Sequence, residues 1–195
     1  MGEMELARAT LDQARRMFLD NLRGVSLDEA LSAAGGYRSI LGIAKHTAGW
    51  SAVYYSYAFE PDPRHWNATD WPHGIRDRIE ASAAYLQEIL GWFDRTCERW
   101  VASLTAVADL AIAKPVHWGG TAPLSEIVAM VTTHWTYHAG EINAILAIGR
   151  GEAWEYGEEV EENHICTTGH RVRPAWMTEQ EAARYEQSSS LGPSD

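Results

Sequence analysis

The sequence predicts an all-α protein, an antiparallel four-helix bundle followed by an irregular C-terminal extension. Three observations carry this reading. Four long segments repeat apolar residues at spacings of three and four, the period of a helix with one dry face. The breaks between them fall at glycine and proline. No segment alternates apolar and polar residues well enough to be taken as a strand. At 195 residues the chain can build one substantial core and is short for two. Four amphipathic helices hide their apolar stripes most simply against one another, with sites built between facing helices. Residues 1–150 are therefore read as the bundle, and 151–195 as an extension packed on it whose tail is expected to be disordered.

The first helix covers about residues 3–22. Met4, Ala7, Leu11, Ala14, Phe18 and Leu22 draw its stripe, and Gly24 ends it. Gly35-Gly36 mark a break before the second helix, about 39–59, which Pro61 and Pro63 stop. A loop rich in Asp, Asn and Trp then runs to Pro72. The third helix is expected over about 75–104, with Ile79, Leu86, Ile89, Leu90, Phe93, Trp100 and Leu104 on its dry side. A connector holding Pro115 and Gly119-Gly120 leads to the fourth, about 121–149, with Thr121 as cap and Pro123 in its first turn. A Glu-rich segment, a short helix over 178–187 and a Ser/Gly/Pro tail complete the chain.

Charge and composition exclude several classes. Twenty-seven acidic against sixteen basic residues give a net charge of −11, a surface that repels phosphate backbones. Lys and Arg are scattered without a basic patch, so nucleic acid is not an expected partner. The first ten residues lack the pattern of a signal peptide, and no apolar run reaches the roughly 20 residues of a membrane span. Cys97 and Cys166 are far apart and form no CxxC pair, which reads as two reduced thiols in a cytoplasmic protein. Nine Trp, eight Tyr and eight His supply rings with apolar bodies and polar tips. Such rings suit a pocket with a few polar groups, and equally an ordinary interior.

The histidines carry the functional argument. With His134 at zero on the fourth helix, at about 100° per residue, His138 falls near +40° and Glu141 near −20°. Met130, Val131, Ile142, Ile145 and Ile148 lie within roughly 60° of the same direction. Three polar groups thus sit inside the stripe that faces the core, where an unpaired polar side chain costs about 1–3 kcal/mol. Residues four apart on a helix have Cβ atoms about 5–6 Å apart, so two imidazoles there can converge on one ion. A lone HxxxH can also arise by chance. On the second helix, His46 shares a face with Ile43, Val53 and Tyr57, while Gly42 and Gly49 allow close approach of a helix or ligand. Its plain alternative is a core histidine bonded to a carbonyl.

The segments Ile43-Ala44-Lys45-His46-Thr47-Ala48-Gly49-Trp50 and His134-Trp135-Thr136-Tyr137-His138-Ala139-Gly140-Glu141-Ile142 resemble the two signature helices of the DinB-like family. That likeness covers roughly residues 3–150 in length, helix layout and motif order. It implies a divalent metal, commonly zinc or nickel, on one His of the second helix and two of the fourth, which His46, His134 and His138 match. Gly140-Glu141 matches the Gly and Gln or Glu that often follow the last ligand. Many relatives carry an acidic residue shortly after the first His, where this chain has Trp50. Relatives of known activity resemble metal-dependent transferases or isomerases that use a low-molecular-weight thiol such as mycothiol or bacillithiol. The resemblance therefore implies a small-molecule enzyme working through a metal-activated thiolate, with a small-molecule substrate. A non-catalytic metal-binding or stress-response protein and a metal-dependent hydrolase are the alternatives, and a homodimer is left open.

Three His ligands leave coordination positions free, the pattern of a catalytic rather than a closed site. Glu141 is the candidate catalytic residue, orienting a ligand His or taking a proton, against a plain interhelical contact. His117-Trp118-Gly119-Gly120 lies just before the fourth helix, where it lines the pocket mouth or is plain loop. His164, Cys166 and His170 are ligand types without a fourth partner. The six acids between Glu152 and Glu162 read as a solvated loop, interrupted by Trp154, Tyr156 and Val160, rings and an aliphatic expected to pack on the bundle.

Overall fold

The computed structural model describes residues 2–33, 38–68, 75 and 80–150, together with the backbone of 166–167 and 170–171. Helix α1 spans Glu3–Asn21, α2 Leu27–Leu31, α3 Ile40–Phe59, α4 Ala83–Thr105 and α5 Leu124–Arg150. Strands β1 (Ala113–Pro115) and β2 (Thr121–Pro123) pair antiparallel, as do β3 (Cys166–Thr167) and β4 (His170–Arg171). The four long helices form the expected bundle: α1 packs on α4 and α5, and α3 packs on the same two. Facing helices α3 and α5 run antiparallel, since Tyr54 meets His134, Ser51 meets Trp135 and His46 meets His138.

Three sequence expectations change. The third long helix does not begin at residue 75. Ser82 caps α4 instead, its hydroxyl accepting from the Tyr85 N–H at 3.1 Å. Ile75 lies in a turn, buried, with its carbonyl taking the Tyr85 hydroxyl at 2.6 Å, so an apolar residue in phase with the helix packs without joining it. Ile79 lies outside the described residues. Secondly, Thr121 is a strand residue rather than a helix cap. The hairpin turns through Gly119 and Gly120, at φ 98° and 79°, a region costly for residues with a Cβ. The first N–H groups of α5 are satisfied by backbone: Leu124 donates to Ile112 and Ser125 to Leu110, both at 2.9 Å. Thirdly, α2 forms where no helix was expected, closed by a reciprocal capping box between Ser26 and Glu29. The readings of the 178–187 helix, of the tail, and of the packing of Trp154, Tyr156 and Val160 lie outside the described residues, as do the side chains of His164, Cys166 and His170.

The interior is built from large rings. Phe18, Phe93, Trp100 and Trp135 are fully buried, with Phe18–Phe93 centroids 4.5 Å apart and Phe93–Trp135 5.3 Å. Each such side chain contributes about 1.5–3 kcal/mol by leaving water. The polar tips are satisfied. Trp135 Nε1 donates to Ser51 Oγ at 2.7 Å and Trp100 Nε1 to the Ser51 carbonyl at 3.3 Å. Ser51 Oγ in turn donates to the Thr47 carbonyl, and Asn21 bonds the Ala139 carbonyl at 2.7 Å. Cys97 is a free, buried thiol whose pKa burial pushes well up, so it is an inert apolar filler. One stripe residue departs from the wheel: Ile148, in the last turn of α5, is 67% exposed. A wheel gives direction only, and burial needs something opposite.

Candidate metal centre

Helices α3 and α5 bring His46, His134 and His138 into one cluster. One ring nitrogen of each lies within 4.8 Å of the others. Ring centroids are 4.6–5.3 Å apart: His134–His138 at 4.6 Å, His46–His138 at 5.0 Å and His46–His134 at 5.3 Å. The i,i+4 spacing on α5 stacks two of the imidazoles on one face, and the antiparallel crossing of α3 supplies the third. His138 is buried and the other two are half-buried.

The donor set fits a divalent ion. His46 Nε2 and His134 Nε2 face each other at 3.3 Å. Two nitrogens bound at about 2.0–2.1 Å on a tetrahedral ion sit about 3.3 Å apart. Burial, then Arg38 and His138, depress the His46 pKa to about 4. Burial, then His138 and His46, depress that of His134 to about 3. Both rings are therefore neutral near pH 7, with lone pairs free to ligate. His138 Nδ1 lies 2.7 Å from Glu141 Oε2. A carboxylate can only accept, so Nδ1 is the donor of this bond and Nε2 is the nitrogen left to face an ion. Glu141 thus touches a histidine of the cluster and is not itself one of the clustered donors. His134 has no such support, because its buried Nδ1 finds no partner among the described residues. Three imidazole donors without thiolate or carboxylate suit zinc, nickel, copper or iron better than calcium or magnesium.

Rings from three segments pack beside the cluster, two of them directly against its histidines: Trp50 meets His46 and Tyr54 meets His134. Trp50 and Tyr54 come from α3, His65 and Trp66 from the connection after it, and His117 from the hairpin turn. Trp50 stacks on Trp66 at 5.8 Å with planes 12° apart, and meets His117 at 4.7 Å. His117 therefore packs on rings that neighbour the cluster, Trp50 and Tyr54, while Trp118 beside it is exposed. Tyr54, His65 and Trp66 are neighbours the sequence reading missed. Gly49 admits Trp66, for a Cβ there would fall 1.8 Å from Trp66 Cζ3. Its glycine was the available signal, noted without an occupant.

A four-helix bundle with three convergent histidines between facing helices defines a candidate metal-binding protein of the all-α class. A sequence profile of the DinB superfamily matches residues 10–142, and the chain belongs to that superfamily. The matched span holds all three histidines and Glu141. No curated protein and no solved structure gives a match. Among the described residues, no helix is long and apolar enough to cross a membrane.

Proposed function

We propose that the chain is a divalent-metal-dependent enzyme acting on a small molecule, with a low-molecular-weight thiol as the second reactant in a transfer or isomerisation. The observation that supports this most is the convergence of three imidazoles with no fourth side-chain donor in the cluster among the described residues. Bound on them, zinc or nickel supplies a free position where a thiol or water ionises near neutral pH. His46, His134 and His138 would hold the ion. Glu141 fixes the His138 tautomer through Nδ1 and can take up charge when that ring is polarised. The half-buried rings of Trp50 and Tyr54 border His46 and His134, and His117 packs on both rings.

Elemental analysis of the purified protein should find about one divalent ion per chain. Substituting His46, His134 or His138 with Ala should abolish it, while His65→Ala retains it. Titration of a cobalt-substituted protein with a small thiol should then change the visible spectrum as sulfur enters the coordination sphere. A spectrum indifferent to thiol but sensitive to pH would favour a hydrolase using water. Failure to bind any divalent ion overturns the proposal.

A further inference from the structure

Trp50 and Tyr54 border the histidine cluster, with His117 packed on both, and the burial of these three differs from that of the core rings. Trp100 and Trp135 are fully buried with both indole N–H groups bonded. Trp50, Tyr54 and His117 are only half-buried. Trp50 sits 6.3 Å from His46 and Tyr54 5.9 Å from His134, centroid to centroid, so both rings border the candidate ligands directly. Tyr54 and His117 are 5.3 Å apart, and His117 completes the triangle with Trp50 at 4.7 Å. Trp66 stacks on Trp50 and fills the notch at Gly49, which fixes the Trp50 ring from the side.

We infer that Trp50 and Tyr54, backed by His117, form the substrate-binding wall of the three-histidine site, and that it receives a planar conjugated group by stacking. A half-exposed indole or phenol ring, held in place by its neighbours, favours a flat π-system over a saturated ring of the same size, because ring-on-ring contact adds to area burial. Rigid rings also lose little entropy when a ligand binds, so the selection is not eroded by ordering costs. This inference rests on the metal-site reading, because the wall matters for the proposed reaction only if the histidines hold an ion beside it.

The test uses three hydroxamates that share one metal-binding group: acetohydroxamate, cyclohexanecarbohydroxamate and benzohydroxamate, titrated into zinc-loaded protein by calorimetry. Benzohydroxamate should bind at least tenfold tighter than the cyclohexane analogue. In Trp50→Leu that preference should vanish, with zinc content and acetohydroxamate affinity retained. Equal affinity for the planar and saturated rings in the wild type overturns the inference, as does a preference that survives Trp50→Leu. Binding of acetohydroxamate without any ring preference sinks the wall and leaves the metal reading standing. If no ion binds, the metal reading fails alone, and the wall is measured on metal-free protein by saturation-transfer NMR. Stronger transfer to benzyl alcohol than to cyclohexylmethanol, lost in Trp50→Leu, then supports the wall, and equal transfer overturns it.

Discussion

Glu141 shows what a single carboxylate can do three residues after a histidine. At 2.7 Å from His138 Nδ1 it decides which nitrogen of that ring is free, and it needs no contact with an ion to do so. Glu141→Gln keeps a carbonyl acceptor but removes the charge, so the ring stays oriented while losing basicity. The variant should still bind metal, with affinity or turnover reduced roughly 10–100-fold. A competition titration against a chromogenic chelator checks this, and wild-type affinity in both Glu141→Gln and Glu141→Ala would reduce the contact to a helix-surface hydrogen bond. His134, His138 and Glu141 share a face by helical period and i,i+4 spacing, which are local properties, whereas His46 joined them through the resemblance of two separated segments to one family. Trp66 could not be found in the sequence. Its place over Gly49 depends on how the connection after α3 folds back, and no local pattern encodes that.

Among the elements, that connection and the small helix α2 are where the structure adds most to the sequence reading. The Arg64 N–H donates to Ser56 Oγ at 2.7 Å and Trp66 fills the Gly49 notch, so two anchors hold residues 60–68 along α3. Gly49→Ala should expel Trp66. The helix gains about 1 kcal/mol of propensity while overpacking costs about 1–3 kcal/mol, so net stability should change little or fall slightly. Tryptic cleavage after Arg64 should accelerate severalfold, and an unchanged cleavage rate would show that Trp66 finds another seat. Helix α2 is tied by its capping box and by Glu29 to Arg150 at 2.9 Å. The Ser26 backbone N–H, then Arg150 and the Ser26 hydroxyl, hold the Glu29 pKa at about 2 against an ordinary 4.5. The folded value lies below the unfolded one, so this stabilisation is complete above pH 4.5 and is lost as pH falls toward 2. Because Glu29 is only half-buried and its partners Ser26 and Arg150 are exposed, solvent screens the interaction and the effect is small, about 0.2–1 kcal/mol. Thermal melts between pH 6 and 2.5 should therefore fall less steeply for Glu29→Gln than for the wild type. Elements such as α2, β1 and β2 escaped the sequence reading because three to five residues hold too few periods to show one. The start of α4 was misjudged for a different reason: Ile75 is apolar in phase with that helix, yet only the Ser82 cap marks where it begins.

For the whole molecule the question is whether the metal centre holds the bundle together or the bundle holds the metal centre. Phe18, Phe93, Trp100 and Trp135 are fully buried in contacts that involve no cluster histidine, and the indole N–H groups are bonded within the protein. The fold therefore has its own core, unlike small domains that fold only with metal. Chelation should leave far-UV circular dichroism near 25 °C almost unchanged. It should still lower the melting temperature, since an ion that binds only the folded state adds about 4 kcal/mol at a thousandfold excess over its dissociation constant. For a chain of this size that corresponds to a shift of roughly 8–16 °C. A scan with and without chelator, followed by zinc add-back, separates the cases. Loss of helicity on chelation would make the ion a structural element and remove the argument for an open reactive position. A melting temperature indifferent to both chelator and added zinc would show that the three imidazoles hold no ion at all, and His46 would then be a core histidine that shares a proton with His134.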